Sequence, residues 1–311
     1  VFNFGFIFRN FNLIRRKSGI SELFKNLNEG QNLLTSFGED AGAIKLKDRY
    51  ILMSADGIMP ELIKFDPEFA GMCSVLVTVN DIQAMGGKPA GIVNVISSDK
   101  KTTKAILKGM KFAAKKIGIS ILGGHYHPSN NSPHLSIASL GYARKIVYSN
   151  TAKKGDDILA VIDLKGVIKK SAVLALDAFS NKNEKSIKKI LGIMPSLAEN
   201  ELLTSAKDIS NAGILGTIAI ILELSRKGGI IDSELIPWDF RLPLKKWLSV
   251  YPSYGFIITA RPGNSNTIIK TFNKADISCS RIGVVIPGSE LKIKWQGIYH
   301  TIADWKKRRI L

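Results

Sequence analysis

Twenty-six acids stand against 44 lysines and arginines in this 311-residue chain, so acids beside glycines or inside apolar runs carry the most chemical information. Gly38-Glu39-Asp40-Ala41-Gly42-Ala43 sets adjacent carboxylates among small residues, where a cation and the backbone can approach closely. The same pattern also makes an ordinary solvated turn. Asp56-Gly57 follows an apolar run, which puts an acid at a strand end, either at a ligand-binding rim or starting a turn. Asp81 falls one turn from Val77 and Met85 in an apolar helix; it reads as a metal carboxylate or as a half-exposed acid paired with a lysine. Gly123-Gly124-His125-Tyr126-His127 offers backbone N–H groups to phosphate oxygens and two imidazoles. Those imidazoles suit hydrogen bonding at a ligand rim better than zinc, because no third ligand has suitable spacing. Asp208 and Ser210 precede an apolar helix, where they would either border a bound anion or cap the helix.

The helix that positions Asp81 has clear ends. Asp66 suits the N-cap, Pro67 the first turn and Glu68 the positive end of the dipole, while Gly86-Gly87 marks the stop. Ahead of it, Ala43 to Leu46 and Tyr50 to Ala55 read as strands, preceded by a short helix at Ile20 to Leu27. After it come a strand at Ala90 to Ser97, an amphipathic helix at Thr103 to Ile117, a short buried strand at Ile119 to Leu122 ending at the two glycines, and a strand at Leu135 to Tyr142. The second half alternates helices near Val167 to Phe179, Ser196 to Leu203 and Ile214 to Lys227 with strands at Gly155 to Ile162, Ile230 to Ile236, Gly255 to Ala260, Ile277 to Val285 and Leu291 to Trp295. That alternation indicates α/β or α+β layers. We expect an arm and short helix over 1–37, one domain over 38–150 and a second over 151–311.

The formal charge of +18 would favour polyanions by long-range attraction, but the lysines are dispersed and no aromatic residues interleave with them as a nucleic-acid platform requires. Nucleic acid is therefore not the expected partner. Cys73 and Cys279 are too few for a disulfide framework or a cysteine-rich zinc site, and a cytoplasmic location is the default. Val1 to Lys17 is aromatic, basic and acid-free but lacks a sustained apolar core, and no later run has the ~18 apolar residues that span a bilayer.

In order, Gly-Glu-Asp-Ala, Ala-Asp-Gly, Asn-Asp-Ile-x-Ala-Met-Gly-Gly-x-Pro, Gly-Gly-His, Gly-Asp-Asp and Asp-Ile-Ser-Asn-Ala-Gly resemble the aminoimidazole ribonucleotide (AIR) synthase superfamily over about Gly38 to Gly288. Within it the chain looks closest to the AIR synthase-related proteins, including methanogenesis marker protein 2. The resemblance implies a two-domain α/β (α+β) fold, an N-terminal domain that forms a dimeric barrel with a second subunit, and a C-terminal domain beside it. It implies ATP held through Mg2+ in the cleft, with Asp40, Asp56, Asp81 and Asp208 on the metal side and Asp40, Asp81, Gly123, Gly124, His125 and Asp208 around the nucleotide. The implied activity is phosphorylation or activation of a small-molecule substrate by a homodimer. Thiamine-monophosphate kinase has an acid where this chain has His125, which leaves open a nucleotide-binding scaffold whose catalysis has lapsed. The reactive loop cysteine of selenophosphate synthetase and the C-terminal cysteine of the hydrogenase maturation ATPase are missing, which argues against those two activities. A basic polyanion-binding protein is the third reading.

Overall fold

The computed structural model describes residues 34–35, 38–170 and 174–311. The arm at Val1 to Lys17 and the helix expected at Ile20 to Leu27 lie outside them. The first domain contains β1 (Gly42–Leu46), β2 (Arg49–Ile58), α1 (Pro60–Phe65), α2 (Pro67–Ala84), β3 (Lys88–Ser98), α3 (Lys100–Ile117), β4 (Ser120–Pro128) and β5 (His134–Ala143). Its sheet runs β1-β2-β5-β3-β4, with only β3 and β4 parallel. Inward residues such as Leu52, Ser54, Ile92, Ile96, Leu135 and Ile137 are buried, while Met53, Val93, Val95 and Leu140 on the opposite face are exposed. Period-two alternation therefore produces one packed face and one bare apolar face.

The second domain contains β6 (Asp157–Ile162), β7 (Val167–Lys170), β8 (Leu174–Asp177), α4 (Glu184–Leu191), α5 (Ile193–Glu199), β9 (Ser205–Asp208), α6 (Gly213–Leu224), β10 (Gly228–Asp232), α7 (Leu244–Trp247), β11 (Tyr251–Pro252), β12 (Gly255–Ala260), α8 (Pro262–Asn273), β13 (Ser278–Ile286), β14 (Glu290–Trp295) and β15 (Ile298–Asp304). Seven strands form the order β15-β14-β10-β13-β6-β12-β9, and β11-β8-β7 form a small second sheet. No helix among the described residues is long and apolar enough to cross a membrane.

The α2 helix begins as its residues require: the Asp66 side chain accepts from the Phe69 N–H at 2.9 Å, and Pro67 opens the first turn. At its end Gly86 adopts φ +77°, and the Gly86 and Gly87 N–H groups bond Gln83 and Ile82 carbonyls at 2.8 and 2.9 Å. Every residue of α2 except Pro67, Glu68 and Asp81 is buried. The helix has no solvent face because both domains pack on it: Asn80 donates to the Ser253 carbonyl at 3.1 Å and Gln83 to the Leu191 carbonyl at 2.5 Å. Its crossing with α3 brings backbone against backbone. A Cβ at Gly71 would lie 2.1 Å from the Ile106 carbonyl oxygen, and one at Gly109 would lie 1.8 Å from that of Glu68.

Three expectations are corrected. The segment Val167 to Phe179 is not a helix: β7 and β8 pair antiparallel, and β8 also pairs with β11, so long-range ladders outweigh local helical spacing. The strand expected to be short and buried at Ile119 to Leu122 is the nine-residue β4, exposed along its whole length because it is the sheet edge. The β2 strand continues through Asp56 and Gly57, so Asp56 lies within it and not at its end.

Gly109→Ala should lower stability by roughly 1–3 kcal/mol or prevent folding, because the α2–α3 contact leaves no room for a methyl group. Gly263→Ala, whose Cβ meets nothing within 4 Å and which lies in α8, is the control and should unfold at or above the wild-type denaturant concentration. Urea unfolding of both variants checks this.

Candidate metal and phosphate site

Asp40, Asp81 and Asp208 come from three separate segments, and each offers a carboxylate oxygen within 4.8 Å of the others. Asp40 lies in the turn before β1, Asp81 in the last turn of α2, and Asp208 at the end of β9 across the domain boundary. Asp81 and Asp40 are aimed by neighbours. The Ser54 hydroxyl, on the inward face of β2, donates to Asp81 Oδ2. The Asp208 backbone N–H donates to Asp40 Oδ2 at 3.2 Å, and the Lys207 ammonium donates to Asp40 Oδ1 and to the Gly38 carbonyl, the latter at 3.1 Å. These contacts tie the two domains together at the cluster.

Burial, then the charges of Asp208 and Asp40, push the Asp81 carboxyl well above the usual carboxylate range, against the Ser54 hydrogen bond. Burial alone would lower the Lys207 ammonium, but Asp40 and Asp208 outweigh it and hold the lysine charged. Glu39, beside Asp40, is raised chiefly by burial although its Oε2 accepts from the Ser149 N–H at 2.7 Å; its Oε1 is buried without a hydrogen-bond partner. The cluster thus gathers negative charge that a hard cation would relieve. Three carboxylate oxygens with no thiolate or imidazole among them fit Mg2+, which accepts hard oxygens and keeps part of its water shell.

Asp56 lies two residues beyond Ser54 on the same face of β2, about 7 Å along the strand. It adds negative charge near Asp81 and accepts from the Gly57 N–H at 2.7 Å, but it is outside the three-carboxylate group. Gly123, Gly124 and His125 sit within β4 and not in a loop. The strand order leaves three inter-strand spacings, about 14 Å, between β4 and the strand bearing Ser54. A Cβ on Gly124 would lie 2.7 Å from the Asn94 side-chain amide, so a larger residue there would have to displace that amide. His125 and His127 join no metal-binding group among the described residues. Asp208 and Ser210 do not cap α6, which starts at Gly213 with no side-chain cap, so the capping alternative falls away.

Sequence reasoning missed Ser54, Lys207 as a partner of Asp40, and Tyr251. None of the three is marked by its local sequence: Lys207 stands in Leu203-Thr204-Ser205-Ala206-Lys207-Asp208, where nothing singles it out. Tyr251 lines a recess of about 470 Å³, counting its open mouth, with Phe69, Cys73 and Val77 of α2, and Asp56 and Asn211 at its polar edge. The Tyr251 hydroxyl is buried without a hydrogen-bond partner. Burial, followed by charge on Cys73, Asp208, Asp56 and Asp81, drives it well above the usual phenol range.

The family model described as AIR synthase related protein, N-terminal domain, matches residues 38–143, and the corresponding C-terminal domain model matches 152–296. An uncharacterised protein of Methanocaldococcus jannaschii is 38% identical, covering 97% of this chain and 96% of its own length. An uncharacterised Synechocystis protein is 35% identical, covering 83% and 80%. A thiamine-monophosphate kinase of Buchnera aphidicola is 25% identical over 86% of this chain and 89% of its own. Among solved structures, Thermotoga maritima PurL complexed with ATP superposes with a TM-score of 0.78 at 16% identity, covering 96% of this chain and 51% of that one. The chain thus spans about half the length of PurL. AaThiL complexed with AMPPCP and TMP gives a TM-score of 0.69 at 16% identity, covering 90% and 93%. At these identities the structures establish a shared two-domain fold.

Without divalent cations, Asp81 should make stability depend on pH. Its folded-state carboxyl binds a proton more tightly than an unfolded Asp, so its contribution is complete below about pH 3.9 and is lost as pH rises through the raised value. In chelator, wild-type protein should therefore lose stability relative to Asp81→Asn as pH rises above about 3.9. Urea unfolding at a series of pH values measures it, and parallel curves would contradict the assignment.

Proposed function

Since the chain belongs to the AIR synthase-related family, we propose that it is an ATP- and Mg2+-dependent enzyme that transfers a phosphoryl group to, or activates, an oxygen of a small molecule. The observation that carries this reading is the convergence of Asp40, Asp81 and Asp208 from separate motifs in two domains. Asp81 and Asp208 would hold the cation, with one oxygen of Asp40 completing the set, while Ser54 and the Asp208 N–H keep the carboxylates aimed. Bound magnesium supplies positive charge against the triphosphate and orients it. Catalysis then rests on positioning and electrostatics, and no side chain is assigned as a general base. Gly123, Gly124 and His125 are assigned to the nucleotide on the family resemblance alone.

The recess beside Asp56 is the acceptor's place in this reading. Its walls are apolar, its edge polar, and Tyr251 brings an unused hydroxyl within the field of the acids. The bare apolar face of the first sheet supports a homodimer: Met53, Val93, Val95 and Leu140 are exposed together, beside the unpaired edge of β4.

Titration calorimetry with a non-hydrolysable ATP analogue should give one Mg2+-dependent site per chain. Asp81→Asn should weaken that binding at least tenfold with an unchanged circular dichroism spectrum; unaltered binding would remove the metal-site assignment. In light scattering the wild type should have the mass of a dimer, and a Val93→Glu, Leu140→Glu double variant that of a monomer. A wild-type monomer would exclude the dimer.

A further inference from the structure

The carboxylate cluster already contains one cation of its own. Lys207 retains only 6% of its side-chain exposure and Asp40 only 4%, and their charged atoms are in direct contact. The ammonium cannot move far. Its second hydrogen bond is to the Gly38 carbonyl, in a turn where Gly38 adopts φ +97°, and its backbone is held in β9 by pairing with Ile257 of β12. Asp40, Asp81 and Asp208 converge on one point, with Asp56 adding negative charge nearby, and Lys207 already occupies one side of that convergence against Asp40.

We propose that Lys207 stands in for one divalent cation, so that in the absence of nucleotide the cluster takes one such ion per chain and not two. The inference rests on reading the three acids as a cation site. Asp40 Oδ1 is committed to the ammonium, which leaves Asp40 one oxygen for a metal and makes Asp81 and Asp208 the main ligands. A lysine is suited to this position because it is a compact point charge with three donors. An additional metal would enter only with the nucleotide, carried by its phosphates.

Mn2+ titration, followed by electron paramagnetic resonance and calorimetry without nucleotide, tests this on the full chain. Wild-type protein should bind one Mn2+ per chain, Asp81→Asn should bind at least tenfold more weakly, and Lys207→Met, which keeps the side-chain length without the charge, should bind two. Two tight ions in the wild type would overturn the proposal while sparing the cation site, as would a single ion of unchanged affinity in Lys207→Met. No Mn2+ binding, or binding indifferent to Asp81→Asn, would sink both the proposal and the site on which it rests. If Lys207→Met does not fold, the wild-type count still decides, and Lys207→Gln provides the second comparison.

Discussion

Three like charges gathered where two domains meet set the terms for everything around them. Carboxylates with oxygens within 4.8 Å of one another in a largely buried setting repel strongly, and the protein answers with an ammonium, a hydroxyl and a backbone N–H, each reaching one of the acids. None of these groups belongs to the same element as the acid it serves: Ser54 on β2 serves Asp81 on α2, and Lys207 and the Asp208 amide on β9 serve Asp40 before β1. The cluster is therefore a statement about tertiary structure, complete only when both domains are folded and docked.

The element that enforces this docking is α2. Its N-terminal half packs against α3 through Gly71 and Gly109, its middle bonds the Ser253 carbonyl, and its last turn delivers Asp81 before the backbone leaves through Gly86. Because the two glycines let helix backbones touch, the separation of α2 from α3 is closely defined. Rigid support of this kind suits chemistry that depends on where charges sit more than on any one proton-transferring residue.

The parts legible in the sequence are those with local punctuation. Asp66-Pro67 and Gly86-Gly87 bracket α2 by backbone rules that need no tertiary knowledge, and the order of short acidic motifs identifies the family. Outcomes decided by distant partners were not legible. Val167 to Asp177 carries apolar residues that satisfy helical spacing, yet the ladders with β11 and within the pair decide its state. Gly123 and Gly124 look like a phosphate loop after a buried strand, yet their place at a sheet edge makes them part of an exposed one. Lys207 is one lysine among many until the fold brings Asp40 to it from 167 positions away.

That α2 is buried on all sides has a consequence for how such a chain can change over evolutionary time. A helix that serves as interior for both domains leaves no seam along which either could be exchanged for a foreign counterpart. Gln83 answers to Leu191, Asn80 to Ser253, and Ala84 to the apolar cluster around Leu159 and Phe256. Change would have to come by altering the recess walls or the bare sheet face, residue by residue, while the shared shaft stays as it is. Diversification by remodelling in place, with the two halves inherited as an indivisible pair, is what this packing permits.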